Sequence, residues 1–430
     1  MQRWKLYTFF LIFIVYSAFV IGIEFYYRDK LFNDSFEFIL KEQKNNQKGV
    51  LIFFRIITEF GYQTVIIPIL IVLYLFTPLN KSYLFFCVSS LAVVIDNIMK
   101  ISYGQPRPFW VNNDVFVSCD GGYGNPSAHS YAASSSYLTL AHILTDNDFF
   151  KKRMYLRILI YTLFLGLIVA ICLSRLYLGV HAINQILHGA LLGIALYFLF
   201  VYIIRMHAMS GETFFMMFTN VTLIIIIAAI QLTILAISLL VYFLVDNETS
   251  IYEESLKKLC PDLESYRKFN NDGLFGCLSF LALIGSHYGI MFVAFMTKKS
   301  NFDNLDSVNN WNRTRWLNKF FIFLLMICFG LPFLLMLIPP ESLIIIYLFK
   351  ISVPFLICGF TIYGLNIFCS IKLRLANPFI NDLDNNNNDK YRMSSDLGIR
   401  RPEENNKILP SDLQNNKNII IINQINKDVV

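Results

Sequence analysis

A helix needs about 20 consecutive apolar residues to cross a bilayer. Apolar stretches of that order recur along the chain, each closed off by a short polar segment, and they predict ten spans. These are Leu6–Tyr27, Phe60–Phe76, Tyr83–Met99, Ser130–Leu144, Tyr155–Leu173, Ala182–Ile204, Val221–Val245, Leu274–Thr297, Trp316–Ile338 and Leu343–Phe368. The second to fourth are short for a crossing. The sixth carries Gly189, Ala190, Gly193 and Ala195, small residues that let helix backbones approach closely. The first begins Met-Gln-Arg-Trp-Lys, as a signal peptide does, with Tyr16-Ser17-Ala18 as a weak cleavage site. Its apolar run continues through Gly22, long for a signal h-region, so an uncleaved anchor is expected.

Composition supports the membrane assignment. Hydrophobic residues make up 56% of the 430 positions and charged residues 15%, against about 45–50% and about 25% in soluble chains. In water such a chain would expose more apolar surface than a monomer tolerates. A soluble enzyme, a disordered scaffold and a secreted disulfide knot are excluded. The net charge of +6 is too mild to point to nucleic acid as a partner. Beyond Asn381 the pattern stops: 12 of the last 50 residues are Asn, including Asn385–Asn388. Such a segment is expected to be a disordered tail, and the late run Ile419–Ile422 is too short to span. The expected fold is therefore an all-α integral membrane protein: about ten transmembrane helices around a helical-bundle core, with a disordered C-terminal tail. Its parts are an N-terminal span and loop (1–59), a core (60–205), four further helices (206–370) and an Asn-rich tail (371–430).

Ten spans put both termini on one face and segments 28–59, 100–129, 174–181 and 246–273 on the other, here called the far face. Lys and Arg lean slightly towards the terminal face, which the positive-inside rule makes cytosolic. The sequons at Asn33 and Asn247 fall on the far face and those at Asn80 and Asn312 on the terminal one, so they do not decide the orientation. Cys119, Cys260 and Cys277 lie in or beside far-face segments, where a disulfide between two of them depends on their proximity. No Cys/His spacing indicates a metal site.

Three polar clusters interrupt the apolar chain, all at the far face. Lys100-Ile-Ser-Tyr-Gly-Gln-Pro-Arg107-Pro108 closes the third span. Tyr123-Gly124-Asn125-Pro126-Ser127-Ala128-His129-Ser130 opens the fourth. Ser174-Arg175-Leu-Tyr-Leu-Gly-Val-His181 joins the fifth to the sixth. Three cations, two imidazoles, a serine and a helix start suit a phosphoryl group. Arg grips its oxygens through a planar fork and Lys acts as a point charge. A helix N-terminus adds free N–H groups, with Pro126 and Ser127 as its starting signals. One histidine can attack phosphorus while the other protonates the leaving oxygen. Taken singly, each residue has a plainer role: interface anchoring for a cation, helix–helix hydrogen bonding for His142 and His188, and a local i, i+4 ion pair for Asp96 and Lys100. Three clusters in order at one face are much harder to explain that way.

Together Lys100-x6-Arg107-Pro108, Pro126-Ser127-Ala128-His129 and Ser174-Arg175-x5-His181 resemble the three-part signature of the type-2 phosphatidic acid phosphatase superfamily. That superfamily includes lipid phosphate phosphatases, sphingosine-phosphate phosphatases, glucose-6-phosphatases and vanadium haloperoxidases. The resemblance covers about Lys100 to Phe200. It implies His181 as a nucleophile forming phosphohistidine and His129 as general acid. It also implies Lys100, Arg107, Ser127, Arg175 and the N–H of Ala128 as phosphate ligands, with no metal or other cofactor and a lumenal site. Two positions depart from the commonest pattern. Ala128 stands where Gly is frequent, and Gln185 stands where an Asp usually orients the nucleophile. From i+4, Gln185 can still accept the second ring N–H of His181.

The resemblance implies a phosphomonoesterase acting on a phosphorylated lipid, such as a sphingoid-base phosphate or phosphatidate, in the endoplasmic reticulum or another endomembrane. Gln185, and Cys119 ahead of the second motif, resemble glucose-6-phosphatases and keep a sugar phosphate as the alternative, beside a polyprenyl diphosphate. A non-enzymatic transporter or lipid-binding scaffold is the competing class. No internal repeat of the transporter kind is evident, and every histidine and cation of the signature is present.

Overall fold

In the computed structural model, residues 1–2, 45–47, 113, 116–118, 120, 205–213, 216, 246, 248–251, 253–259, 261–268, 300–313, 336–343, 374 and 376–430 lie outside the described residues. The expected tail falls there. The chain divides into two units, Met1–Pro378 and Phe379–Val430, and the first is described below.

The described residues are helical throughout their regular structure. In chain order the helices are α1 Arg3–Lys44, α2 Lys48–Glu59, α3 Gln63–Phe76, α4 Leu79–Tyr103, α5 Pro108–Val111, α6 Ala128–Thr145, α7 Asp148–Lys151 and α8 Met154–Tyr177. There follow α9 Ile183–Phe198, α10 Val221–Leu244, α11 Phe269–Leu278, α12 Phe280–Lys299, α13 Trp316–Leu335, α14 Ile344–Phe360 and α15 Asn366–Lys372. Among the described residues the predicted spans fall on helices, the eighth across α11 and α12 and the tenth across α14 and α15. By length and apolar character seven of the described helices can cross a membrane, or eight if α2 and α3, bent by 46° at their junction, count as one span. Ten was the expected number. Helix α6 and the Trp316–Gly330 part of α13 fall outside that measure. The reason in α6 is its content of Ser, Ala and Thr, which are buried against protein and need no lipid-facing bulk.

Helices α8 and α10 carry the opposite pattern. Leu163 is 65% exposed and Leu232 65% exposed, as side chains facing lipid would be. The polar segment expected as a loop after the first span is instead helical. Helix α1 runs on to Lys44, and the amphipathic α2 packs on the end of α8, where Phe54 meets Tyr177 with ring centroids 4.7 Å apart.

Helices α6 and α9 form the closest pair around the clusters. A Cβ on Gly189 would lie 2.6 Å from the Ser127 carbonyl oxygen, and one on Gly193 would lie 2.6 Å from that of Tyr131. The small residues of the sixth span thus bring the second and third clusters together. Behind them, α12 and α14 cross with Gly285 and Gly289 against Leu356, Phe360 and Gly364.

Candidate active site

The first cluster begins where α4 ends. Gly104 adopts φ 53° and its N–H bonds the Lys100 carbonyl at 3.0 Å. That left-handed cap turns the chain sharply, so that Arg107 points back into the protein. Arg107 is 3% exposed. Its Nε donates to the Gly122 carbonyl (2.8 Å), one terminal nitrogen to that of Gly121 (2.6 Å), and the other to that of Val180 (3.2 Å) and to His181 Nε2 (3.2 Å). A buried guanidinium carries five donors that need partners, and the four contacts above lie on the loop before α6 and on the third cluster. Lys100 Nζ lies 3.2 Å from Asp96 Oδ2, the expected i, i+4 pair.

The second cluster reaches α6 through a cis Asn125–Pro126 bond. Ser127 is the N-cap, with φ −76° and ψ 111°, and the helix starts at Ala128, two residues before the predicted Ser130. Two expectations need correcting. Pro126 precedes the cap instead of occupying the first turn. The Ser127 side chain makes no capping bond; its Oγ accepts from Ser130 Oγ at 3.2 Å. The Tyr62 ring stands edge-on to His129 with centroids 4.2 Å apart, and Gly61 lies against the same imidazole.

The third cluster ends α8. Gly179 takes φ 68°, and the N–H groups of Val180 and His181 both return to the Arg175 carbonyl, at 3.3 and 3.4 Å. This reversal turns His181 inward before α9 begins. Arg175 is 1% exposed and donates to Thr58 Oγ1 at 2.7 Å. His181 Nδ1 lies 2.9 Å from the Gly124 carbonyl oxygen and 3.2 Å from Gln185 Oε1. Both are acceptors, so Nδ1 carries the proton and Nε2 carries the lone pair. Burial, and then the positive charges of Arg107, Arg175, Lys100 and His129, push the His181 pKa well below the ordinary imidazole value. The ring is therefore neutral at physiological pH.

Lys100, Arg107, Ala128, His129 and His181 line one cavity of about 280 Å³. Ser127, Arg175 and Gln185 are not in its wall; they are buried behind it. Gln185 accepts from the Ala182 N–H at 3.1 Å and donates to the Pro106 carbonyl at 2.8 Å, bridging the first and third clusters. The plainer roles of the other histidines fit as well: His142 meets Tyr161 Oη at 3.3 Å, between α6 and α8, while His188 donates to Asn125 Oδ1 at 2.9 Å. Sequence reasoning missed the Gly124 carbonyl, Thr58 and Tyr62. It also missed Glu24, an acid inside an apolar span, which is a recognised signal for a functional position.

Residues 81–209 match the family model of the PAP2 superfamily, a longer segment than the motifs alone. The glucose-6-phosphatase catalytic subunit 1 of Canis lupus familiaris is 28% identical over 137 residues, covering 27% of this chain and 38% of the relative. That of Mus musculus is 32% identical over 114 residues, covering 22% and 32%. The chain thus spans about a third of the length of these curated relatives. The crystal structure of a transmembrane PAP2-type phosphatidylglycerolphosphate phosphatase from Bacillus subtilis is similar at 20% identity and a TM-score of 0.38, over 47% of this chain and 96% of that one. All three clusters, which the fold joins around one cavity, lie inside the segment 81–209 that matches the PAP2 superfamily.

Proposed function

We propose that the protein is a membrane-embedded phosphomonoesterase that works through a phosphohistidine on His181. The observation that carries this reading is the tautomer of His181. Its Nδ1–H is held by Gly124, its Nε2 lies beside Arg107, and His181 and Arg107 both line the cavity. A neutral imidazole is a competent nucleophile once incoming phosphate oxygens draw the Arg107 N–H away from its Nε2 lone pair. When a phosphomonoester enters, its oxygens take over N–H groups of Arg107, with Lys100 and the Ala128 N–H completing the cradle. Ser127 and Arg175 support that cradle from behind. Nε2 forms a bond to phosphorus as the ester P–O bond breaks, and His129 gives its proton to the departing oxygen. Water then attacks the phosphohistidine, His129 takes its proton, and inorganic phosphate leaves. Gln185, together with Gly124, keeps the ring oriented.

For the substrate, Gln185 and the two glucose-6-phosphatase relatives favour a sugar phosphate. The phrase Tyr123-Gly124-Asn125-Pro126-Ser127 favours a phosphorylated lipid as the second reading. A disulfide between Cys119 and Cys260 supports an oxidising, lumenal side for the site, and with it an endoplasmic-reticulum or other endomembrane location. Phosphate release from purified protein with glucose 6-phosphate, sphingosine 1-phosphate and phosphatidate tests both points. His181→Ala should lose at least about 100-fold in turnover of the preferred substrate while remaining folded. A variant that keeps more than about a hundredth of the wild-type rate would refute the covalent route.

A further inference from the structure

Helix α1 lies outside the matched segment, yet it brings a carboxylate to the back of the site. Glu24 is 1% exposed. Its Oε1 accepts from Asn125 Nδ2 at 2.5 Å and from Asn184 Nδ2 at 3.2 Å. Asn184 Nδ2 also donates to Gln105 Oε1 at 3.1 Å. The three amides lie in or just beyond the three clusters: Gln105 stands two residues before Arg107, Asn125 four before His129, and Asn184, on α9, three after His181. The backbone closes the same circuit, since the Gly124 N–H bonds the Gln105 carbonyl at 2.8 Å and the Gly124 carbonyl receives His181 Nδ1. One carboxylate oxygen thus ties together the segments that carry the cation, the acid and the nucleophile.

We propose that Glu24 is a positioning residue for the reaction: its Oε1 clamps the Asn125 and Asn184 amides and so fixes the distance between His129 and His181. It does not line the cavity. Its Oε2 has no hydrogen-bond partner among the described residues, so the clamp needs one acceptor oxygen and not a full charge. Held this way, two groups that act on opposite sides of one phosphorus stay in reacting geometry, where a displacement of about 1 Å can cost 100-fold.

The activity part of the test rests on the phosphatase reading, and a second readout separates the two. Glu24→Gln keeps an acceptor oxygen at the same place, while Glu24→Leu removes it. In purified full-length protein turning over an aryl phosphate, Glu24→Leu should lower kcat by about 10- to 100-fold with KM within about threefold. Glu24→Gln should stay within about threefold of wild type in both. Hydrogen exchange over residues 121–127 and 181–185 should quicken in Glu24→Leu and not in Glu24→Gln. Wild-type kcat in Glu24→Leu, an equal fall in both variants, or a fall that only follows loss of folded protein would overturn the clamp. Should the wild type itself fail to release phosphate, the phosphatase reading falls, and exchange alone decides the clamp: unchanged exchange in Glu24→Leu overturns it.

Discussion

His181 is oriented by two acceptors, and their unequal distances set what each variant should do. The Gly124 carbonyl is the nearer at 2.9 Å and Gln185 Oε1 the farther at 3.2 Å. Gln185→Leu therefore leaves the tautomer in place and should slow turnover by only about 3- to 10-fold, the equivalent of one modest hydrogen bond. It should lower stability more, because the buried Ala182 N–H and Pro106 carbonyl lose their partner, at about 1–3 kcal/mol each. Turnover and thermal unfolding of the same preparation measure both. The pH dependence follows from the depressed His181 pKa. Protonation removes the nucleophile only below the ordinary imidazole value, so the acid limb of kcat/KM assigned to this group should lie under pH 6.5. With nitrophenyl phosphate, whose own ionisation is acidic, a His181 limb at or above pH 6.5 would contradict the buried, cation-flanked ring. The cavity-lining side chains Lys100, Arg107, His129 and His181 were legible in the sequence because each motif fixes residue type and spacing. A backbone carbonyl such as Gly124 has no such signature, and neither does the long-range Glu24 contact, 101 residues from Asn125.

Helices α6 and α9 set how the second and third clusters meet, and glycine controls their separation. A methyl on Gly193 would reach within 2.6 Å of the Tyr131 carbonyl and 2.8 Å of Ser134 Cβ. Since both are parts of a packed helix, Gly193→Ala must push α6 away. The expected cost is about 1–3 kcal/mol of stability, read by thermal unfolding in detergent, with turnover reduced because His129 moves with α6. Gly166 of α8 has nothing within 4 Å of such a methyl, so Gly166→Ala serves as the control and should change neither. The small-residue pattern of this helix pair was readable from sequence. The extension of α1 and the start of α6 were not. Polar residues after Tyr27 read as a loop until Ser35 is seen accepting the Ile183 N–H at 2.8 Å and Gln43 donating to the Tyr177 carbonyl at 3.0 Å.

On the scale of the whole molecule, the Cys119–Cys260 disulfide fixes a topological parity. It places two distant segments on one face, and among the described residues the long helices between them are α6, α8, α9 and α10. An even number of crossings is needed, and α6 supplies the fourth although its Ser-rich sequence falls short of the apolar measure. The pair of Lys81 Nζ and Asp146 Oδ2, 3.0 Å apart, agrees: it joins the start of α4 to the end of α6, away from His129. Hydropathy alone gave ten spans because it counted every apolar run; burial reveals which of them face protein. The proposed lumenal orientation of the site predicts that a glycosylation sequon introduced at 253–259 is modified in sealed microsomes. It also predicts that the Asn-rich tail is cut by protease added outside. A protected tail with an unmodified sequon would invert the topology.

The central claim is a covalent phosphoryl group on His181, and the most direct measurement is its capture. Purified protein mixed with a substrate carrying labelled phosphorus is quenched in alkali within milliseconds, because phosphohistidine survives base and is lost in acid. Label is predicted on the peptide containing His181, approaching one per active site, absent from His181→Ala and accumulating in a His129→Ala variant if breakdown also needs its base. Turnover in the same preparation with no label on any peptide, or label on His129, would contradict the mechanism.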